Sequence, residues 1–178
     1  MRKPSKIDFI RQQGFTTEGC QEGLFAALMF QPAVIAGLVI ASTALQSPWL
    51  FVALAAVLWW GALVPSRNPF DAFFNRVMAD PKRLAAMPAA PPARRFSQAV
   101  AGTVALSIAT MLFAEAFLAA WLLEGVFVVA STSVVVRRFC LPAYVFHLLW
   151  SRAPATPCPS RSLLGGGGSE ARSAQAGE

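Results

Sequence analysis

The side chains that could do chemistry in this 178-residue sequence are few: three cysteines, one histidine and two glutamates set in apolar sequence. Cys20, Cys140 and Cys158 have neither Cys-x-x-Cys nor zinc-ligand spacing. A thiol works as its thiolate, and the cytoplasm, where all three are expected, keeps thiols reduced. They read as structural or incidental thiols, with Cys140 the one candidate for a thiol-redox or sulfur-handling role. His147 is the only histidine. An imidazole nitrogen can ligate a haem or a pigment metal, which makes His147 a weak cofactor candidate, but no second ligand stands near it. Glu115 and Glu124 are the only acids between residues 96 and 136. Carboxylates inside a membrane mark ion or proton paths, so a small transporter using Glu115 and Glu124 is one alternative. Their place near an expected turn gives the simpler reading that both reach water. No phosphate-binding glycine loop, catalytic triad, paired-acid site or metal cluster is evident. The sequence therefore reads as non-enzymatic, with no intrinsic cofactor.

The elements that would carry these groups follow from charge. Only 13% of residues are charged, against about 25% in soluble domains, and the mean hydropathy is +0.52. No Lys or Arg lies between Arg11 and Arg67 or between Arg95 and Arg137. The apolar stretches in those gaps, residues 24–64 and 96–136, would each reach roughly 60 Å as one helix. The hydrocarbon core is about 30 Å thick, so each must fold back. Lipid offers the backbone no partners, so both passes must be helices. Gln46-Ser47-Pro48 breaks the first stretch, since proline suits a first helical turn. Helices are expected over 24–45 and 48–64, then over 96–113 and 119–136. The fold class is an all-α integral membrane protein, four transmembrane helices as two hairpins with short interfacial helices.

The 15 Lys and Arg fall into the N-terminal segment, the middle loop and the tail, with none at the expected hairpin tips. Basic loops stay in the cytoplasm. Both termini are therefore expected there, in a bacterial inner membrane. The same bias and attraction to anionic lipid explain the net charge of +6 without nucleic acid. Trp49 and Trp121 near the tips, and Trp59, Trp60 and Trp150 toward the basic side, fit two aromatic belts. No cleavable signal is expected, because the first apolar run starts only after residue 23.

The segments divide as follows. Residues 1–23 are polar, with Ile7, Phe9, Ile10 and Phe15 suited to a short surface helix. In the loop 65–95, Phe70, Phe73, Phe74 and Val77 recur at helical spacing, an interfacial pattern, before a proline-rich linker over 87–93. Residues 137–152 are aromatic and too short to span. The tail 153–178, with four consecutive glycines, is expected to be flexible. Phe30-Gln-Pro-Ala-Val34 and Phe96-Ser-Gln-Ala-Val100 hint at a duplicated unit of hairpin plus surface helix. Gln31 and Pro32 read as softening the start of the first helix. Small residues such as Ala36, Gly37, Ala41, Gly61, Gly102 and Ala105 allow close helix packing, within the chain or against another protein.

Three runs, Arg95-Phe-Ser-Gln-Ala-Val-Ala-Gly102, Asn68-Pro-Phe70 and Phe139-Cys-Leu-Pro-Ala-Tyr144, together resemble a bacterial membrane family catalogued as domain of unknown function 4395. The resemblance spans roughly residues 25–150. It implies four membrane helices and no established activity. Members often carry Cys-x-x-Cys near the last element. Here Cys140 is present and Ala143 stands at the second cysteine's place.

The function expected is that of a non-catalytic accessory subunit packing against a larger membrane complex, such as a photosynthetic reaction centre with its antenna or a respiratory assembly. Membrane lipids and that complex are the expected partners. Trp59, Trp60, Trp121, Trp150, Phe70, Phe73 and Phe74 are the candidate contacts to partner or lipid, and a bound lipid or pigment is expected at these interfaces.

Overall fold

A computed structural model describes residues 5–16, 24–77, 89–150 and 156. Cys20, Cys158 and most of the tail expected to be flexible lie outside them. The described elements are helices: α1 Lys6–Gln12, α2 Leu24–Leu45, α3 Pro48–Leu63, a 3-10 turn Pro65–Arg67, α4 Pro69–Val77, α5 Pro92–Phe113, α6 Phe117–Arg137 and α7 Leu141–Leu149.

Local chemistry sets most boundaries. In α1 the Ser5 hydroxyl accepts from the Asp8 amide at 3.1 Å while the Asp8 carboxylate accepts from the Ser5 amide at 2.9 Å, a reciprocal cap that satisfies two orphan donors. Pro48 opens α3 one residue after Ser47. Val64, the residue before Pro65, leaves the helical region (φ −119°, ψ 73°) and closes it. Gln46, Glu115 and Arg138 end α2, α5 and α6 in the left-handed region, with φ of 46°, 56° and 57°, the conformation that returns a helix C-terminus on itself.

Three helices, α2, α5 and α6, are long and apolar enough to cross a membrane, which corrects the expected four. The fourth apolar helix, α3, has 16 residues, about 24 Å at 1.5 Å per residue, because prolines bound it at both ends. A second correction concerns α5, which begins at Pro92 and not at residue 96. The expected linker overran it, since a proline-rich run ending in two arginines reads as loop, whereas proline is at home in a first helical turn. The break in the second stretch lies at Ala114–Ala116, where the Ala116 amide donates to the Met111 carbonyl at 2.9 Å.

The tight turns at residues 46–47 and 114–116 send α3 and α6 back antiparallel to their predecessors. The most intimate packing is nevertheless between hairpins, α3 on α5 and α2 on α6. Each helix thus pairs with the opposite member of the other hairpin, as a two-fold relation between parallel repeats requires. Phe30 and Phe96, at matching places in the repeated motif, play matching parts. Phe30 stacks on Phe73 of α4 with centroids 5.9 Å apart, and Phe96 packs on Phe146 and Trp150 of α7 at 5.7 and 5.9 Å.

The main core joins Val39, Phe51, Leu54, Leu58, Ile108 and Phe127, with Ala55, Ala105 and Ala109 allowing close approach. Gly102 is required there: a Cβ at this position would stand 2.8 Å from Cδ1 of Trp59. A second cluster of Phe9, Ile10, Phe15, Leu24, Leu28 and Phe74 sits at the end where the described chain begins. Large apolar side chains elsewhere face outward, among them Leu38, Ile40, Leu63, Leu122, Val126 and Val129.

Candidate functional site

Polar groups are scarce in this interior, and they gather in two places. The first is at the end of the bundle bearing α4 and α7. Asn68 opens α4, its Oδ1 accepting from the Phe70 amide at 3.1 Å, which leaves the short helix to turn Asp71 and Phe74 inward together. The early start of α5 puts Arg94 in its first turn, facing them. Nη2 and Nη1 of Arg94 donate to Oδ1 and Oδ2 of Asp71 at 2.6 and 3.1 Å, and Nη2 also donates to Oε1 of Gln31 on α2. Arg94, Asp71 and Gln31 are all buried. One turn further along α5, Gln98 is 3% exposed, and neither its Nε2 nor its Oε1 has a partner. It lies against Gly61, together with the unpartnered Nδ2 of Asn68: a Cβ on Gly61 would meet these amides at 3.0 and 3.2 Å.

Beside this cluster a cavity of about 680 Å³ opens between α2, α5, α6 and the start of α7. Its walls are apolar, including Leu28, Pro32, Ile35, Val104, Leu123 and Val134. Its polar lining comes from Gln31, Arg94, Ser97, Gln98, Ser131 and Cys140, among others. Cys140 is buried, and its thiol donates to the Ser97 hydroxyl at 3.6 Å. Ala143, one turn on, is fully buried, so among the described residues no second thiol is within reach.

The second polar group is at the hairpin tips. Glu115 is exposed in its turn, but Glu124 is 1% exposed. That corrects the expectation that both reach water. Glu124 sits about two turns into α6, facing α2, and Gln46 covers it. Gln46 Nε2 donates to Oε2 of Glu124 at 2.8 Å and to the Thr43 carbonyl at 2.7 Å, while Trp121 Nε1 donates to Oε1 of Gln46 at 2.9 Å. Oε1 of Glu124 and Oγ1 of Thr43 are left unpartnered.

His147 stands apart from both places. Its Nε2 lies 3.0 Å from the Gln12 carbonyl oxygen, which can only accept, so this nitrogen donates its proton. With Asp8, Arg11 and Tyr144 it lines a smaller cavity of about 380 Å³ between α1 and α7. Among the described residues no three His, Cys, Asp or Glu side chains group as metal ligands. Of the candidate contacts, Trp59, Trp60, Trp121, Trp150 and Phe73 are exposed, whereas Phe70 and Phe74 are 8% and 5% exposed and pack inside. Arg94, Asp71, Gln98 and Asn68 were not singled out from sequence. One signal was there: Asp71 lies on the same helical face as Phe74, three residues on, where an acid needs a partner.

Fold and site together define a small all-helical protein of two apolar hairpins, with a buried ion pair and an inter-helical cavity at one end. The chain belongs to the family described as Domain of unknown function (DUF4395), which matches residues 26–151. That span holds both hairpins except the first two residues of α2, with α4, α7 and every residue of the ion-pair cluster. No curated protein and no solved structure matches the chain.

Proposed function

We propose that this is an integral protein of a bacterial inner membrane, non-catalytic, that serves as an accessory subunit by packing one face of α2 against a transmembrane helix of a larger complex. The observation that carries the reading is the outward stripe Ala33, Gly37 and Ala41, one residue per turn of α2 and exposed at all three. No heavy atom stands within 4 Å of where a Gly37 Cβ would be. Gly61 and Gly102 are used up inside the chain, but Gly37 is not. Lipid tails gain nothing from a small residue, whereas a partner helix gains close backbone approach. The described basic residues gather at the end of the bundle opposite the tips, which supports cytoplasmic termini. On this reading α3 returns through the membrane as a short pass, with local thinning of the bilayer around it.

The test is purification of the tagged full chain from its native membrane in mild detergent, with mass spectrometry and an absorption spectrum. Wild type should carry a stoichiometric membrane partner, and Gly37→Leu should lose it while staying folded. A solitary protein in both preparations, or a partner that Gly37→Leu retains, sinks the proposal.

A further inference from the structure

The smaller cavity, about 380 Å³, has the scale of a small-ligand site. It lies between α1, which supplies Asp8, Arg11 and Gln12, and the start of α7, where Phe139, Tyr144 and His147 line it. A carboxylate and a guanidinium thus face one space, three residues apart on α1. They form no ion pair with each other: among the described residues that contact belongs to Arg94 and Asp71. Each keeps room for an outside group of opposite charge.

Hydrogen bonds already made sort the lining into donors and acceptors. The Ser5 amide and hydroxyl both donate to Oδ2 of Asp8, at 2.9 and 2.7 Å, which leaves Oδ1 to accept. Oε1 of Gln12 accepts from the Cys140 amide at 3.0 Å, which leaves Nε2 to donate. Nε2 of His147 donates to the Gln12 carbonyl, so Nδ1 of the neutral ring is an acceptor. Arg11 and Gln12 therefore suit a phosphate, and Asp8 and His147 suit a group rich in N–H donors. Around the cavity the surface is apolar. Leu141, Tyr144 and Leu148 make one exposed face of α7, and Ile7 beside Asp8 is exposed on α1. Short helices with exposed apolar faces lie at the level of lipid head groups.

We infer that this cavity seats the head of a zwitterionic phospholipid with a primary amine, of the phosphatidylethanolamine class. The phosphate lies on Arg11 and Gln12, the ammonium on Asp8 and His147, and the acyl chains leave past Phe139 and Tyr144. An anionic head without an amine leaves Asp8 unmatched. A choline head has no N–H for Asp8 or His147. The inference rests on the membrane placement proposed above and is independent of the partner on α2.

The test is native mass spectrometry of the full chain in mild detergent. It is titrated with phosphatidylethanolamine, phosphatidylglycerol and phosphatidylcholine of identical acyl chains, and with soluble phosphoethanolamine. Wild type should bind one phosphatidylethanolamine per chain, about tenfold more tightly than either other lipid, the worth of one charge-assisted hydrogen bond. Asp8→Asn keeps an oxygen for Ser5 and should erase that preference. Arg11→Gln should weaken all three lipids about tenfold. Arg76→Gln, which removes a cation from α4 at the same end of the bundle, should change nothing. Equal affinity for the three lipids would overturn the inference. So would tightest binding of phosphatidylglycerol, a preference that survives Asp8→Asn, or an equal loss in Arg76→Gln. Phosphoethanolamine binding as tightly as the lipid would rule out a membrane source. A chain that selects phosphatidylethanolamine yet purifies without a partner sinks the accessory-subunit reading and supports this one.

Discussion

Arg94 holds Asp71 through two parallel hydrogen bonds, 2.6 and 3.1 Å, with the two side chains 4% and 10% exposed. The pair ties α4 to the first turn of α5, and Gln31 extends it to α2. Removing one partner strands a buried charge. Asp71→Ala and Arg94→Ala should each lower stability by about 3–5 kcal/mol, read from unfolding in detergent. Arg94→Lys should lose much of the same amount, since an ammonium cannot make the two-point contact. The double change Arg94→Met with Asp71→Leu should recover most of it. Additive losses in the double variant would show that the two residues act independently, and would overturn the reading that a stranded charge sets the cost.

Gly102 and Gly37 make opposite predictions. Gly102→Ala drives a methyl toward Trp59 and should cost about 1–3 kcal/mol, recovered in part by Trp59→Leu. Gly37→Ala meets nothing and should stabilise the isolated chain by up to about 1 kcal/mol through helix propensity. Melting temperatures of the three variants in one detergent check both.

Gln46 bridges the tips by binding Thr43, Glu124 and Trp121. Gln46→Ala should cost about 3 kcal/mol, three hydrogen bonds of its side chain at roughly 1 kcal/mol each. Glu124→Gln keeps an acceptor for Gln46 and should change stability by less than about 1 kcal/mol. Solute or proton flux in liposomes that vanishes in Glu124→Gln would favour a transporter instead.

Cys140 is buried and bound to Ser97, with Ala143 where a resolving thiol would sit. In a background with Cys20 and Cys158 changed to serine, Cys140 should react with a maleimide only as fast as the fold opens. Cys140→Ser should leave the phenotype unchanged. Loss of function with normal protein levels would restore the thiol reading.

At α1, hydrogen bonds from the Ser5 side chain and then its backbone hold the Asp8 carboxyl below its usual range, helped by Arg11. A lowered folded pKa means that the cap's contribution is full above the unfolded value and is lost as pH falls through the folded one. Acidification should therefore release α1 first at the Ser5–Asp8 turn, and Ser5→Ala should move the Asp8 midpoint upward in an NMR titration. An unchanged midpoint would remove the reciprocal cap.

The repeat of hairpin plus aromatic helix was half visible in the sequence. The motifs around Phe30 and Phe96 align, but nothing in them says that each ring lands on the surface helix that follows its own hairpin. The interfacial pattern in α4 was legible as a spacing of phenylalanines. That Phe70 and Phe74 turn into the chain, leaving Phe73 outside, depended on α2 and α3 being there to receive them.

By itself the sequence determined where the chain must fold back. Runs free of Lys and Arg and too long for one pass, with a Gln-Ser-Pro break, place α2 at Leu24–Leu45 as expected, because length and charge act locally on each helix. Only the tertiary structure decided which polar groups meet. Arg94 finds Asp71 across 23 residues and Gln31 across 63, and Gln46 covers Glu124 across 78. Helical periodicity states which face a side chain occupies. The identity of the helix opposite that face comes from how whole apolar surfaces fit, through van der Waals contacts that are individually weak and have no direction of their own.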